Sequence, residues 1–288
     1  MSQKLLQRLV GLGFNLWGLV SPGTAAHGAY QLFGRPPKPD LRPKELRFLE
    51  TARLERGTIA GYPVVEYHWG PETGKIVLLC YGWRYNAGRW RHYVPELLKA
   101  GFRVIAYDPP GHGLNPGRFC NVILNSDIQA GLIEKYGRPE AALAHSFGGA
   151  SLVRTLSRLA PEMRPDRVVI MAAFSHVARL FEAYRDAIGL WPGVYNNLIK
   201  EVEGIVGKPL ADFDFARLSR DFGAVKALLV HDPGDDVTPF SNALRYHEHW
   251  PGSRLLRAHG GGHHLGLAGL TKKILGFLVN GDAGSGAE

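Results

Sequence analysis

Cysteine is nearly missing from this chain: 288 residues hold two, Cys80 and Cys120. Two are too few for a disulfide framework, and their spacing fits no zinc site. Cys80 ends an apolar run and reads as a buried structural thiol. No apolar run is long enough for a bilayer. The best, Leu5 to Val20, is broken by Arg8 and Asn15 and falls short of the roughly 20 residues that a spanning helix needs. No clean small-residue cleavage site follows it, so a signal peptide is disfavoured as well. There is no internal repeat, no basic stretch interleaved with aromatics and no nucleic-acid motif. The glycines at 111, 113 and 117 do not have the spacing of a dinucleotide fingerprint, and His247-Glu248-His249 lacks the i, i+4 histidine pair of a zinc helix. That triplet reads as a solvated helix face.

What remains is an ordinary globular composition, 45% hydrophobic and 21% charged, with a formal net charge of +8. The charge is uneven. Residues 1–56 carry nine Lys/Arg against four Asp/Glu, which reads first as a solvated basic face. Leu5–Val20 is expected to form a helix packed on the body of the protein or on a partner, with surface attachment to a membrane as the second reading. A stiff, proline-rich linker follows at 34–43. The expected location is cytoplasmic, with peripheral attachment at the inner membrane surface as the alternative.

From Arg53 onward the pattern becomes strands alternating with helices. Leu54–Ala60 and Pro63–His68 read as a hairpin around Gly61. Continuous apolar runs at Lys75–Tyr81, Phe102–Tyr107, Glu140–His145, Arg167–Ala172 and Val225–His231, with Ser253–Ala258 after them, read as strands covered on both faces. Helical stretches lie at 87–100, 121–136, 150–159 and 265–279. The fold class is therefore α/β, with a mostly parallel central sheet and helices on both faces. The alternation breaks over 174–222, which reads as an inserted helical cap. The expected organisation is a lead-in at 1–52, a core at 53–173 and 223–280, the insertion at 174–222 and a flexible tail at 281–288.

Chemistry gathers at Ala144-His145-Ser146-Phe147-Gly148-Gly149. A serine on a sharp bend between strand and helix is pushed out above the sheet edge, and small residues on either side let the two elements pass closely. Ala144 stands where the G-x-S-x-G pattern has its first glycine. A serine N-cap followed by a glycine turn is the structural alternative. A serine nucleophile needs a histidine to take its proton and an acid to orient that histidine. The loop after the strand at 225–231 reads Asp232-Pro233-Gly234-Asp235-Asp236-Val237-Thr238-Pro239, and the loop after 253–258 reads His259-Gly260-Gly261-Gly262-His263-His264. Both candidates lie past the carboxyl ends of strands, where open α/β sheets bind ligands.

Together with Tyr81-Gly82-Trp83, Asp108-Pro109-Pro110-Gly111-His112-Gly113, Asp235 through Pro239 and Gly262-His263, these motifs resemble the α/β-hydrolase-fold superfamily over roughly residues 53–280. The resemblance implies a serine hydrolase without metal or organic cofactor. It assigns Ser146 as nucleophile, Asp235 as acid and His263 as base. The backbone N–H groups of Trp83 and Phe147 would form the oxyanion hole. Asp236 is the alternative acid and His264 the alternative base. His112 and Asp108 read as turn-stabilising. Tyr81, His145, Phe174 and Trp191 are candidate pocket residues, with Phe181, Tyr184 and Tyr195 further aromatic candidates in the insertion. The expected substrate is a small to medium, mostly apolar ester. Thioesterase, amidase, C–C hydrolase or perhydrolase chemistry with the same triad, or ligand binding without catalysis, are the alternatives. The expected partners are a small ester-like molecule, no nucleic acid, and a membrane or protein contact through residues 1–33.

Overall fold

The computed structural model describes residues 2–37 and 41–282. In chain order it begins with helices α1 (Gln3–Val20), α2 (Pro22–Phe33) and α3 (Pro43–Leu49). Strands β1 (Arg53–Ile59), β2 (Tyr62–Trp69) and β3 (Ile76–Cys80) follow, then α4 (Val94–Lys99) and β4 (Arg103–Asp108). Next come α5 (Val122–Tyr136), β5 (Ala141–His145), α6 (Phe147–Arg158) and β6 (Arg167–Met171). The rest holds α7 (Ala178–Ile188), α8 (Pro192–Val206), α9 (Phe215–Leu218), β7 (Lys226–His231), α10 (Ser241–His249), β8 (Arg254–Arg257) and α11 (Ala268–Asn280).

The chain divides into two compact units, one of residues 1–35 with 176–214, the other of residues 36–175 with 215–288. The stretch read as a helical insertion, 174–222, is helical but is shared between them: α7 and α8 belong to the first and α9 to the second. Part of the linker expected at 34–43 and most of the tail expected at 281–288 lie outside the described residues.

The second unit is built on an eight-stranded sheet in the order β1-β2-β4-β3-β5-β6-β7-β8. The first two pairings in that order are antiparallel, and every pairing from β4–β3 to β7–β8 is parallel. Composition explains which strands are central. All five residues of β5 (Ala-Ala-Leu-Ala-His) are buried, whereas β1 (Arg-Leu-Glu-Arg-Gly-Thr-Ile) is largely exposed at the edge. Alternation along the strands splits the core into two layers. Val77, Leu79, Val104 and Leu143 pack with Leu97 of α4 and with Ile274 and Phe277 of α11. Leu78 and Ile105 point the other way and line a small cavity together with Leu132 and Ile133 of α5.

Parallel pairing of β5, β6, β7 and β8 sets their carboxyl ends side by side. The ladder runs on into the loops: Ser146 N–H donates to Met171 O at 2.8 Å, Ala172 N–H to Val230 O at 2.9 Å and Ala258 N–H to His231 O at 2.9 Å. The loops after β5, β7 and β8 therefore leave the sheet in register. The last helix starts at Ala268, three residues later than the apolar pattern suggests. Gly262–His264 forms a short 3-10 turn, and Leu265 takes a left-handed conformation before the chain can turn helical.

The first unit contains α1, α2, α7 and α8. Here α1 packs through small and polar residues. A side chain at Gly11 would collide with the Ile188 carbonyl oxygen, and one at Gly18 with Val194. Asn15 is buried, donating to Gly189 O at 2.8 Å and accepting from Trp191 N–H at 2.8 Å. The glycines that interrupt this apolar stretch thus permit close helix contact. No helix among the described residues is long and apolar enough to cross a membrane.

Candidate active site

Ser146 sits between β5 and α6 with φ +51° and ψ −119°. A non-glycine residue held there costs on the order of 1–3 kcal/mol, supplied by the surrounding fold. The bend survives because its neighbours are small. A side chain on Gly148 would come within 2.6 Å of the Cys80 carbonyl oxygen, and one on Gly149 within 3.0 Å of the Ala173 side chain. Ala144, which occupies the place of the usual first glycine, is fully buried in β5 and fits.

The three residues singled out from sequence come together. His263 Nε2 lies 3.1 Å from Ser146 Oγ, and His263 Nδ1 lies 2.9 Å from Asp235 Oδ2. With the carboxylate accepting from Nδ1–H, the Nε2 lone pair faces the serine hydroxyl. Burial pushes the Asp235 carboxyl up, but hydrogen bonds from His231, His263 and Thr238 outweigh it and hold the group well below the usual carboxylate range. Its other oxygen accepts from Val237 N–H at 2.8 Å and Thr238 N–H at 2.9 Å. Asp236, the alternative acid, is exposed. Asp232 instead ties the two loops together: one oxygen accepts from Gly234 N–H, and the other from Gly261 and Gly262 N–H at 2.7 Å each.

Sequence reasoning missed His231. This last residue of β7 is buried, donates from Nε2 to Thr238 O at 2.8 Å, and lies 3.3 Å from Asp235 Oδ2. Its only sequence signal is its position four residues before the acid at a strand end. His264, the alternative base, is turned elsewhere: Nδ1 contacts the Tyr85 hydroxyl, and its carbonyl accepts from Arg89.

The turn after β3 approaches the serine closely. A side chain on Gly82 would lie 3.0 Å from Ser146 Cβ and 2.8 Å from His145 Nδ1. The Trp83 ring meets Phe147 edge-on at 5.1 Å. The two residues expected to supply oxyanion donors are thus neighbours on the serine's flanks. His112 joins this cluster, stacked on Phe147, and burial pushes its imidazole down to about 4, so it is neutral.

The candidate pocket residues divide differently from expectation. Tyr81 is buried and spends its hydroxyl on Asp108 at 2.6 Å. Asp108 also accepts from Tyr67, Ala87 and Leu114, a loop-holding role in keeping with the sequence reading. His145 is fully buried and donates from Nε2 to the His263 carbonyl at 2.8 Å, so it supports the histidine loop from beneath rather than facing an open pocket. Phe174 is buried edge-on against Phe215. Trp191 belongs to the other unit and is 45% exposed. Of the aromatic candidates in the insertion, Phe181 and Tyr184 pack on Phe33 within that same unit, and Tyr195 lies beside Arg185. In the His247-Glu248-His249 triplet, His249 is buried, so only the first two residues are solvated.

Among the described residues, one set of side chains converges as metal ligands would: Glu55, Glu66 and His68 on β1 and β2. The Lys135 ammonium already occupies that position, 2.9 Å from Glu66 and 3.9 Å from Glu55. In sheet order β4 and β3 lie between this group and the serine strand.

Comparison with known proteins points one way. The sequence profile of the alpha/beta hydrolase fold matches residues 75–253. A serine hydrolase-like protein of Danio rerio is 33% identical over 100 residues, 33% of this chain and 30% of that protein. A bifunctional esterase/perhydrolase of Acinetobacter calcoaceticus is 27% identical over 115 residues, 39% of this chain and 42% of the relative. The chain thus aligns with well under half the length of these curated relatives. A carboxylesterase structure from Bacillus subtilis superposes with TM-score 0.58 at 18% identity, covering 89% of this chain and 98% of that one. A meta-cleavage product hydrolase from Pseudomonas fluorescens gives 0.56 at 20% identity, covering 78% and 96%. These two likenesses concern the fold.

Proposed function

The chain belongs to the alpha/beta hydrolase fold family, and from that premise we propose that it is a serine hydrolase of carboxylic esters. The observation that carries this reading is the unbroken relay Asp235–His263–Ser146, with links of 2.9 and 3.1 Å. His263 Nε2 takes the hydroxyl proton as Ser146 Oγ attacks the ester carbonyl carbon. Asp235, ionised and held by backbone N–H groups, steadies the imidazolium that forms. The charge that develops on the carbonyl oxygen is received by the N–H groups of Phe147 and Trp83. His263 then returns the proton to the departing alkoxide, leaving an acyl-serine. A water, deprotonated by the same imidazole, attacks the acyl carbon; the C–O bond to Ser146 breaks and the acid is released. No step calls for a metal or an organic cofactor.

The aromatic pair flanking Ser146, Trp83 and Phe147, supports a mostly uncharged acyl group. Likeness to the Acinetobacter esterase/perhydrolase adds a second reading, perhydrolysis. That reaction has the same first half, with hydrogen peroxide in place of water attacking the acyl-serine.

The test is covalent labelling by a fluorophosphonate, alongside turnover of short p-nitrophenyl esters. The expected result is stoichiometric labelling at Ser146, with both labelling and turnover lost in Ser146→Ala while the melting curve is kept. A folded protein that neither reacts with the probe nor turns over any ester contradicts the proposal. Peracid formation from the same esters with added peroxide measures the second reading.

A further inference from the structure

Helix α1 places its apolar residues on the wrong side for a globular protein. The face against its own unit carries Gly11, Asn15 and Gly18. A separate face, roughly a third of a turn round the helix, carries Leu5, Leu9, Leu12, Leu16 and Leu19, spaced 4-3-4-3, and Trp17 stands beyond them towards α2. All six are between 44% and 71% exposed. From Leu5 to Leu19 the stripe is about 21 Å long. A contiguous apolar surface of that extent marks a contact site rather than ordinary surface leucines.

Charge selects the occupant. Along α1 and α2 the chain has Lys4 and Arg8 and no Asp or Glu. A second copy docked stripe to stripe would offer Lys4 no carboxylate from the facing helix, while Arg8 already lies near Asp186 of its own unit. An anionic surface complements the same charges. Trp17, on the neighbouring face of α1 and packed beside Gly28 of α2, is still 47% exposed and has the amphipathic ring that settles at a membrane–water boundary. Crossing the bilayer is excluded for this helix by its composition and by the packed face with buried Asn15. We propose that α1 docks in the plane of an anionic lipid surface through its leucine stripe, making this protein a peripheral membrane protein.

The experiment is sedimentation of the full chain with vesicles of phosphatidylglycerol and phosphatidylcholine in equal parts at low salt. Wild type is expected to sediment, and Leu9→Gln/Leu12→Gln/Leu16→Gln to lose partitioning by at least about a hundredfold with an unchanged melting curve. Lys4→Gln is expected to weaken binding about fivefold, and added salt to weaken it further. Vesicles with brominated acyl chains should quench a tryptophan signal that Trp17→Phe removes. Wild type that stays in the supernatant, or a triple variant that sediments like wild type, overturns the proposal. So does a concentration-dependent dimer, dispersed by the triple substitution, in protein that ignores vesicles; that result assigns the stripe to a second copy.

Discussion

In the sheet unit, Asp108, Ser146, His231 and Asp235 are polar groups almost wholly withdrawn from water, with hydrogen-bond partners at 2.6–3.3 Å. In the helical unit, α1 does the reverse, leaving leucines in water while burying glycine and asparagine. Burying a polar group is favourable only when its partners are already in place, so the first arrangement is complete within the chain. An exposed leucine stripe gains free energy only when something covers it, so the second is complete only with an outside surface. The contrast separates a site organised in advance from a face whose stabilisation depends on what it meets.

The strongest way to test the first half is at the acid. Asp235→Asn should reduce kcat/KM for short esters by about 10³–10⁴, because the amide cannot hold His263 in the productive tautomer. Asp236→Asn, on an exposed side chain one residue later, should change it by less than about twofold. Equal losses at both positions would break the distinction between buried and exposed acid. Next in size is a pair on α1. Gly11→Leu should lower stability by about 1–3 kcal/mol or more, because the added side chain meets backbone. Leu9→Gln, two residues away and half exposed, should stay within about 0.5 kcal/mol. Thermal melts and limited proteolysis within residues 1–35 would show the difference, and the reverse order would mean the helix faces are misassigned.

The smallest effect concerns Glu66. Burial raises its carboxyl, but hydrogen bonds from His68, Lys135 and Tyr136 lower it further, to about 2 from an ordinary 4.5. A group whose folded value is depressed stabilises the protein above its unfolded value and loses that contribution as pH falls towards 2. Glu66→Gln should therefore cost about 1–2 kcal/mol at pH 7, after allowance for solvent near Lys135, and converge on wild type in acid melts. A constant difference down to pH 2 would show that packing, not charge, explains it.

Much of the sheet edge that carries the candidate site is legible in the sequence, for local reasons. Buried strands announce themselves as continuous apolar runs, and a serine, an acid and a histidine past three such runs need only parallel pairing to converge. Within the acid loop the spacing to Pro239 favours Asp235, and in the structure its side chain accepts from Val237 and Thr238 N–H. Other roles depended on partners distant in sequence. His145 supports a carbonyl 118 residues later, and Asp232 bonds N–H groups 29 and 30 residues on. His231 was overlooked because the end of a strand gives no sign of which loop will fold back over it. Aromatic composition likewise does not say what a ring or its hydroxyl meets: Tyr81 bonds Asp108, and Phe174 packs on Phe215.

Hydrophobic periodicity therefore determined the alternation of strands and helices, because each run is encoded within a few residues of chain. The motifs after those runs, with the family resemblance, pointed to Ser146, Asp235 and His263. Only tertiary structure decided which face of α1 is covered. A leucine-rich helix interrupted by glycines can bury either side, and the choice fell to close packing: backbone approaches Ile188 and Val194 where Gly11 and Gly18 leave room, and the leucines are left outward.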